Sequence, residues 1–270
     1  VCPGQEVWLR DRCVSPEAGR DLVSSAKKAL KSFDVDAAMP ALERALQTGP
    51  HPHDVLVELY TQLGIAHAYL GEEDKALAAF ERLLLISPGH LLSYTLSPKA
   101  TFLFERARRE RANKEQPQIS LSWPQDVRED EPIPLTIEVI HNPDSVLAGI
   151  TLFARTVSEN HKSPLRLGGV RLSPGQPRQE LALPAANLGA RGSMQLFGRV
   201  HDAEGNEVLL WFNEERPREI PLGYEAPIPW YRKWWVWATI GGVVATGTGV
   251  TVYALGVEPP DFVGGTFAVE

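Results

Sequence analysis

Histidines and neighbouring carboxylates are the residue types in this chain that could bind a metal or transfer protons. His51 and His53 stand in the stretch HPHD, and His90 follows the later stretch SPG. Imidazole nitrogens are common zinc ligands, so a metal site is one interpretation of these residues, and solvated loops between helices are the other. The acidic pairs Glu72-Glu73 and Glu214-Glu215 fall at a predicted helix start and in a predicted turn, where carboxylates are stabilised without a catalytic role.

The motifs that usually accompany catalysis are missing from the sequence. It contains no G-x-S-x-G nucleophile motif, no H-E-x-x-H metal motif and no phosphate-binding glycine loop. We therefore predict no catalytic residues, no metal and no cofactor, with a ligand- or metal-dependent enzyme as the alternative. The formal net charge of −7 and the pI near 5.6 argue against a nucleic-acid partner, because phosphate recognition needs a basic face.

The cysteines of the chain are Cys2 and Cys13, in the stretch VCPGQEVWLRDRC with a Pro-Gly turn signal after the first. A short loop that folds back suits one disulfide at the end of a small hairpin over residues 1–15, and disulfides persist in oxidising compartments. Two free thiols, or two ligands of a zinc site, are the alternatives. Because the sequence begins at Val1 rather than methionine, we expect that a signal peptide has been removed.

Residues 16–116 have apolar side chains at three- and four-residue spacing, which predicts helices. From Tyr60 onward the order is an aromatic residue, Leu-Gly, a turn glycine, alanine, phenylalanine and a closing proline. These residues are Tyr60, Leu63, Gly64, Gly71, Ala76, Phe80 and Pro88. The small residues allow two antiparallel helices to approach, and the turn glycine reverses the chain. A weaker copy precedes it, with Leu22, Ala38, Leu42, Ala45 and Pro50 at the equivalent positions.

This spacing resembles the tetratricopeptide repeat (TPR). The resemblance implies helical hairpins that bind other proteins on a concave side, lined mainly by the first helix of each repeat. The residues predicted to point there are Lys27, Lys31, Gln62, Tyr69 and Arg106. A last helix is predicted after Ser97, which is a capping residue followed by Pro98 at the first turn. Its basic stretch, residues 106–114, is either a solvated face or a site for an acidic partner segment.

Residues 117–222 contain short runs of alternating apolar and polar residues or of strand-forming residues, separated by Pro, Gly and Asn turns. This pattern predicts an antiparallel β-sandwich. The stretch DAEGN, Asp202 to Asn206, predicts a hairpin between two of them. This part resembles the immunoglobulin-like modules of bacterial surface and envelope proteins, and a different Greek-key sandwich fits equally well. The predicted fold class is therefore multidomain, α then β.

A proline-containing linker, residues 223–233, leads to an uncharged run over residues 234–257. As an α-helix, these 24 residues would extend roughly 36 Å, enough to cross a bilayer core of about 30 Å. Tryptophans at its start resemble an interfacial belt, so we predict one transmembrane helix rather than a buried core helix. Gly241, Ala245 and Gly249 recur every four residues and predict helix–helix packing in the membrane.

The orientation of this helix can be interpreted in two ways. Arg232 and Lys233 precede the span and only acidic residues follow it, which by the positive-inside rule places the N-terminal domains in the cytoplasm. The cysteine pair, the absent methionine and the sandwich class favour export, since large domains translocate largely regardless of charge. We predict a single-pass inner-membrane protein with periplasmic N-terminal domains. A cytoplasmic membrane-tethered regulator, with its C-terminal tail outside, is the alternative.

The tail, residues 258–270, ends in TFAVE, which alternates Phe267 and Val269 with small or polar residues. It is either a frayed terminus or a strand that adds to the sheet edge of a partner, for which Phe267 and Val269 are the predicted contact residues. The predicted function is a non-catalytic, membrane-anchored scaffold or adaptor subunit of a bacterial cell-envelope assembly. Its predicted partners are other proteins of a membrane-associated complex.

Overall fold

The structure is a computed structural model of the chain. It describes residues 7–9, 12–14, 16–93, 96–125, 127, 131–156, 164–172, 177–183 and 193–222, with the backbone alone before residue 18. The predicted linker (223–233), transmembrane helix (234–257) and tail (258–270) lie outside the described residues. So do the residues predicted there as contacts, namely Gly241, Ala245, Gly249, Phe267 and Val269, as well as Cys2.

The described residues form a short hairpin and then five α-helices. The hairpin strands are β1 (Val7–Leu9) and β2 (Arg12–Val14), with Trp8 opposite Cys13. The helices are α1 (Pro16–Lys31), α2 (Val35–Thr48), α3 (His53–Leu70), α4 (Glu73–Ile86) and α5 (Pro98–Arg111). Among the described helices, none combines the length and the apolar character that crossing a membrane requires.

Strands follow the helices. They are β3 (Gln118–Ser122), β4 (Ile133–His141), β5 (Gly149–Thr156), β6 (Leu165–Arg171), β7 (Arg178–Leu183), β8 (Ser193–His201), β9 (Glu207–Trp211) and β10 (Arg218–Pro221). A short 3₁₀ turn, Pro143–Ser145, lies between β4 and β5. Helices followed by antiparallel sheets confirm the predicted α-then-β order.

Local sequence signals explain where the helices begin and end. The N-terminal cap of α2 is Asp34, whose carboxylate accepts a hydrogen bond from the Ala37 amide. Helix α5 starts at the predicted cap, because the Ser97 side chain accepts from the Ala100 amide. Helix α3 ends at Gly71, which has a left-handed φ of 80° as a C-terminal cap.

A close contact between Gly64 and Phe80 holds α3 against α4. A Cβ atom placed on Gly64 would lie 2.3 Å from Cε1 of Phe80, so only glycine fits beside this ring. Phe80 is fully buried and meets Phe104 of α5 edge-on, with ring centroids 5.4 Å apart. The second helical hairpin and the last helix therefore pack around one aromatic pair.

Two antiparallel sheets bury a common apolar core. One has the order β3-β4-β7, and the other has the order β10-β8-β5-β6, with β9 also paired to β8. Successive side chains of a strand point to opposite faces, so Ile133, Leu135 and Ile137 of β4 all face inward. They share a core with Leu152 of β5 and Leu196 of β8.

The helices and the sheets are joined through shared side chains and main-chain hydrogen bonds. Leu56 of α3 and Leu85 of α4 belong to the same buried cluster as the sheet residues. The Glu207 amide donates to the His51 carbonyl over 2.9 Å, and the His51 amide donates to Oδ1 of Asn206 over 3.0 Å. The loop before α3 thus docks on the β8–β9 hairpin, and the two predicted domains share a core.

Candidate partner-binding groove

A groove of about 530 Å³ lies along the helical part of the molecule, within the size range of ligand sites. One face of α1, one face of α3 and the segment after α4 form its walls. Its lining residues are Lys27, Leu30, Lys31, Phe33, Glu58, Thr61, Gln62, Ile65, Tyr69, His90, Leu91, Leu92, Ser93 and Leu96. The α3 residues are spaced by three and four positions, which brings them onto one helix face.

Four of the five residues predicted for the concave side line this groove, namely Lys27, Lys31, Gln62 and Tyr69. The structure places the fifth, Arg106, elsewhere. Its Nε atom donates to Oε1 of Glu110 over 2.8 Å along the exposed side of α5. Because the two residues are four positions apart, they pair on the surface of their own helix. Partner binding by all five residues stays a prediction.

A carboxylate organises the polar side of the groove. Oε1 of Glu58 accepts from Nζ of Lys27 over 2.9 Å and from Nε2 of Gln62 over 2.6 Å. Gln62 is only 6% exposed, so this hydrogen bond fixes the position of the carboxylate. Within the described part of the chain, no carboxylate pairs with Lys31. The lining lysines and Glu58 together carry one net positive charge.

The rim of the groove is apolar and open to solvent. Phe33, in the loop after α1, is 72% exposed, and Leu91, in the segment after α4, is 74% exposed. The rings of Phe33 and Tyr69 have centroids 5.7 Å apart and are tilted by 30°. The Phe33 and Leu91 side chains both line the same groove, so a bound ligand could cover this exposed apolar surface. The groove therefore combines an apolar rim with a positively charged wall.

His90 anchors the segment that forms the far wall. The Thr61 hydroxyl donates to the Val57 carbonyl over 2.7 Å, so it accepts from Nε2 of His90 over 3.3 Å. The His90 carbonyl accepts from Nη2 of Arg108 over 2.8 Å. Burial lowers the pKa of His90, with Glu58 opposing and Arg108 adding to that effect. The His90 imidazole thus fastens the wall to α3, and the His90 carbonyl fastens it to α5.

The interpretation of the histidines as solvated loop residues is wrong for His51. This side chain is 3% exposed, and its Nε2–H donates to the Ala45 carbonyl over 2.8 Å. Burial lowers its pKa, with the Ala45 hydrogen bond and Asp202 opposing. His53 lies beside it, with Nδ1 3.2 Å from the Glu207 carbonyl. Long-range docking on the sheets, which short-range patterns do not encode, buries the loop.

The described residues do not form a metal-binding arrangement of the kind that the alternative interpretation requires. Among them, no group of three or more histidine, cysteine, aspartate or glutamate side chains is arranged to hold an ion. His51 and His53 form hydrogen bonds at the junction with the sheets, and His90 forms one in the groove wall. Each of these three imidazoles has its own protein partner.

A second cleft, of about 810 Å³, lies between the start of α3 and the outer face of the larger sheet. Four of its charged side chains form two ion pairs. Arg20 meets Asp54 at 2.7 Å, and Arg199 meets Glu207 at 2.9 Å. The cleft also holds Arg155, Glu214, Glu215 and the 43% exposed Phe212, none of which the repeat spacing predicts as a partner contact.

Sequence reasoning missed Phe33, His90 and Leu91 as lining residues of the groove. A signal existed for the first of them. Phe33 stands in the weaker repeat at the position that Gly71 occupies in the better one, so an aromatic residue replaces a turn glycine. No comparable signal marks His90 or Leu91, because their place depends on how the segment after α4 folds back.

Comparison with known proteins supports the repeat. Residues 57–90 match the family model of the tetratricopeptide repeat, which spans most of α3, all of α4 and the loop to His90. A search of curated protein sequences gives no significant match. The resemblance to the tetratricopeptide repeat is therefore confirmed over these residues, within a helical N-terminal part.

Among solved structures, superoxide reductase (neelaredoxin) from Ignicoccus hospitalis is similar to part of the chain. It is 20% identical, with a TM-score of 0.28, and the match covers 43% of this chain and 92% of that one. A variant of the same protein is 18% identical, with a TM-score of 0.30, and the match covers 43% and 86%. Scores of this size do not establish a common fold.

Proposed function

We propose that this protein is a non-catalytic scaffold or adaptor that binds a segment of a partner protein in the groove between α1 and α3. The observation that carries the proposal is the groove itself, in which four residues predicted for partner binding come together beside an apolar rim. The match of residues 57–90 to the tetratricopeptide repeat supports it, because stacked helical repeats present concave surfaces for other proteins.

The chemistry of the groove suits recognition rather than reaction. Its polar side chains form hydrogen bonds and ion pairs with one another, as in the contacts of Glu58 with Lys27 and Gln62. Its apolar residues, such as Phe33 and Leu91, stay open to solvent. A bound segment would cover these apolar surfaces, and binding energy would come from their removal from water.

Site-specific photo-crosslinking in cells that express the protein tests this proposal. A photoreactive phenylalanine derivative replaces Tyr69 in the groove or, as a control, Phe102, which is 59% exposed on α5 and is not among the groove residues. We expect one defined partner segment to be joined at position 69 and not at position 102. Equal labelling at both positions, or none at position 69, would contradict the proposal.

We further propose that residues 234–257 anchor the protein in the inner membrane of a bacterial cell envelope, with an immunoglobulin-like sandwich and the helices on the periplasmic side. The uncharged run and its aromatic start support the anchor. Deletion of residues 234–257 should release the protein from membranes washed with alkaline carbonate. A full-length protein that is already released by that wash would refute the anchor.

Export to an oxidising compartment would let Cys2 and Cys13 form a disulfide. The paired strands β1 and β2 bring the backbone of Cys13 opposite Trp8, so one of the two cysteines lies in a hairpin. Cys2 lies outside the described residues. Mass spectrometry of alkylated, unreduced protein should find both thiols bonded. Two alkylated thiols would contradict the disulfide and weaken the periplasmic proposal.

The membrane helix and the tail are proposed as additional contact sites of the assembly. Leucine at Gly241, Ala245 and Gly249 should weaken helix–helix association in the membrane without preventing insertion. Deletion of residues 266–270, which contain Phe267 and Val269, should reduce recovery of partners while folding is retained. Unchanged recovery after both changes would leave the helical groove as the proposed contact.

A further inference from the structure

Phe33 has a backbone conformation that glycine adopts more readily. It follows the last turn of α1, where its amide donates to the Leu30 carbonyl over 3.1 Å and the next amide, of Asp34, donates to Ala29 over 3.0 Å. Its φ is 59°, in the left-handed region. Gly71 has the same place after α3, with a φ of 80°. A bulky side chain is disfavoured in this conformation.

The Phe33 side chain does not offset that cost through burial, because it is 72% exposed. Its ring contact in the described structure is with Tyr69, which itself lines the groove. Neither the fold of the loop nor the core of the helices explains an aromatic residue here. Strained backbone conformations cluster at active sites, ligand contacts and switch regions, and Phe33 lines a groove.

The charge beside Phe33 indicates the kind of ligand. Lys31 lines the same groove, and no carboxylate of the described residues pairs with it. Lys27, one turn earlier, already shares Glu58 with Gln62. A carboxylate on the ligand would therefore complement Lys31 without displacing an existing pair.

We propose that Phe33 and Lys31 select a partner segment that carries a large apolar side chain close to an acidic residue. The apolar side chain lies against the rings of Phe33 and Tyr69, opposite Leu91, and the carboxylate pairs with Lys31. This inference rests on the proposed function and adds the chemical class of the segment. It assigns Phe33 to ligand contact rather than to stability of the fold.

Selection from a phage library of random octapeptides on the immobilised full chain is the first part of the test. We expect enriched peptides to pair leucine, methionine or an aromatic residue with aspartate or glutamate. Fluorescence anisotropy then measures the affinity of the best peptide. Phe33→Asn, which tolerates a left-handed φ, and Lys31→Glu should each lower affinity by about tenfold or more. Phe33→Tyr should retain binding.

Phe102→Ala is the matched control, since it removes an exposed phenylalanine that is not among the groove residues, and it should leave affinity unchanged. The unfolding midpoint of Phe33→Asn should equal or exceed that of the natural protein, which separates a ligand contact from a structural role. Unchanged peptide affinity in Phe33→Asn would overturn the inference. Enriched peptides without acidic residues would overturn it as well. Self-association of the protein that Phe33→Asn abolishes would also overturn it, because a second copy of the chain would then occupy the groove. If no peptide binds at the groove, the proposed function fails as well.

Discussion

The imidazole of His51 lies directly against the backbone of Gly19. A Cβ atom placed on Gly19 would be 2.4 Å from Cε1 and 2.5 Å from Nδ1 of this ring. The ring is held in place, because its Nε2–H donates to the Ala45 carbonyl and its main chain is bonded to the β8–β9 hairpin. One residue thus connects α1 and α2 through its ring and the sheets through its main chain.

Gly19→Ala should therefore destabilise the protein. The new methyl group would have to displace a buried, hydrogen-bonded ring, and overpacking of this kind costs about 1–3 kcal/mol. Chemical denaturation measures the change in the free energy of unfolding. Gly89→Ala is the control, because no atom lies within 4 Å of the Cβ it would add. Equal stability of the two variants would show that the ring moves aside freely.

Acid should weaken the fold through its buried histidines. Burial lowers the pKa values of His51, His90 and His201 below the ordinary value of 6.5. As pH falls below 6.5, the unfolded chain binds protons that these folded imidazoles do not. Their contribution to stability is therefore complete above pH 6.5 and is lost as pH falls, by at most about 1.4 kcal/mol per pH unit for each histidine.

His51→Gln isolates the contribution of one of these histidines to the pH dependence of stability. The free energy of unfolding should fall between neutral and mildly acidic pH in the natural protein and fall less steeply in the variant. Carboxylates contribute equally to both proteins, so the difference between the two slopes reports His51. Parallel slopes would indicate that His51 is protonated equally in the folded and unfolded states.

Gly71→Val should destabilise the helices by more than about 1 kcal/mol, because valine is strained at a φ of 80°. The structure adds a consequence for the sheets. Since Leu56 and Leu85 lie in the sheet core, loss of α3 and α4 would expose that core. The helical circular dichroism signal and amide exchange in β4 and β8 should therefore report one transition. Sheets that stay protected after the helices melt would contradict a shared core.

Local signals made part of this fold predictable. Ser97 and Pro98 mark the start of α5, and Gly71 marks the end of α3, because caps and turns depend on a few adjacent residues. The small residue Gly64 beside Phe80 belongs to the repeat spacing and predicted their close approach. The alternation in Ile133–His141 likewise predicted a strand with one buried face.

The parts of the fold and of the groove that local signals did not predict depend on contacts between residues distant in sequence. The main chain of His51 is hydrogen-bonded to Asn206 and Glu207, which lie far along the chain, so no short-range sequence pattern marks this contact. In the groove, helix register predicted Lys27, Lys31, Gln62 and Tyr69. The same register could not show that Arg106 lies outside the groove, because that depends on how α5 packs against the other helices.

Amide hydrogen exchange tests the central claim most directly. It would be measured on the full chain alone and with the protein segment captured at position 69. The account predicts slower exchange of the amides around Leu91 and Leu92 and along the α1–α2 loop at Phe33, because a segment in the groove would cover them. The amides of β6, which belongs to the larger sheet, should be unaffected. Protection confined to the sheets, with the groove unchanged, would contradict the proposal that this groove binds the partner.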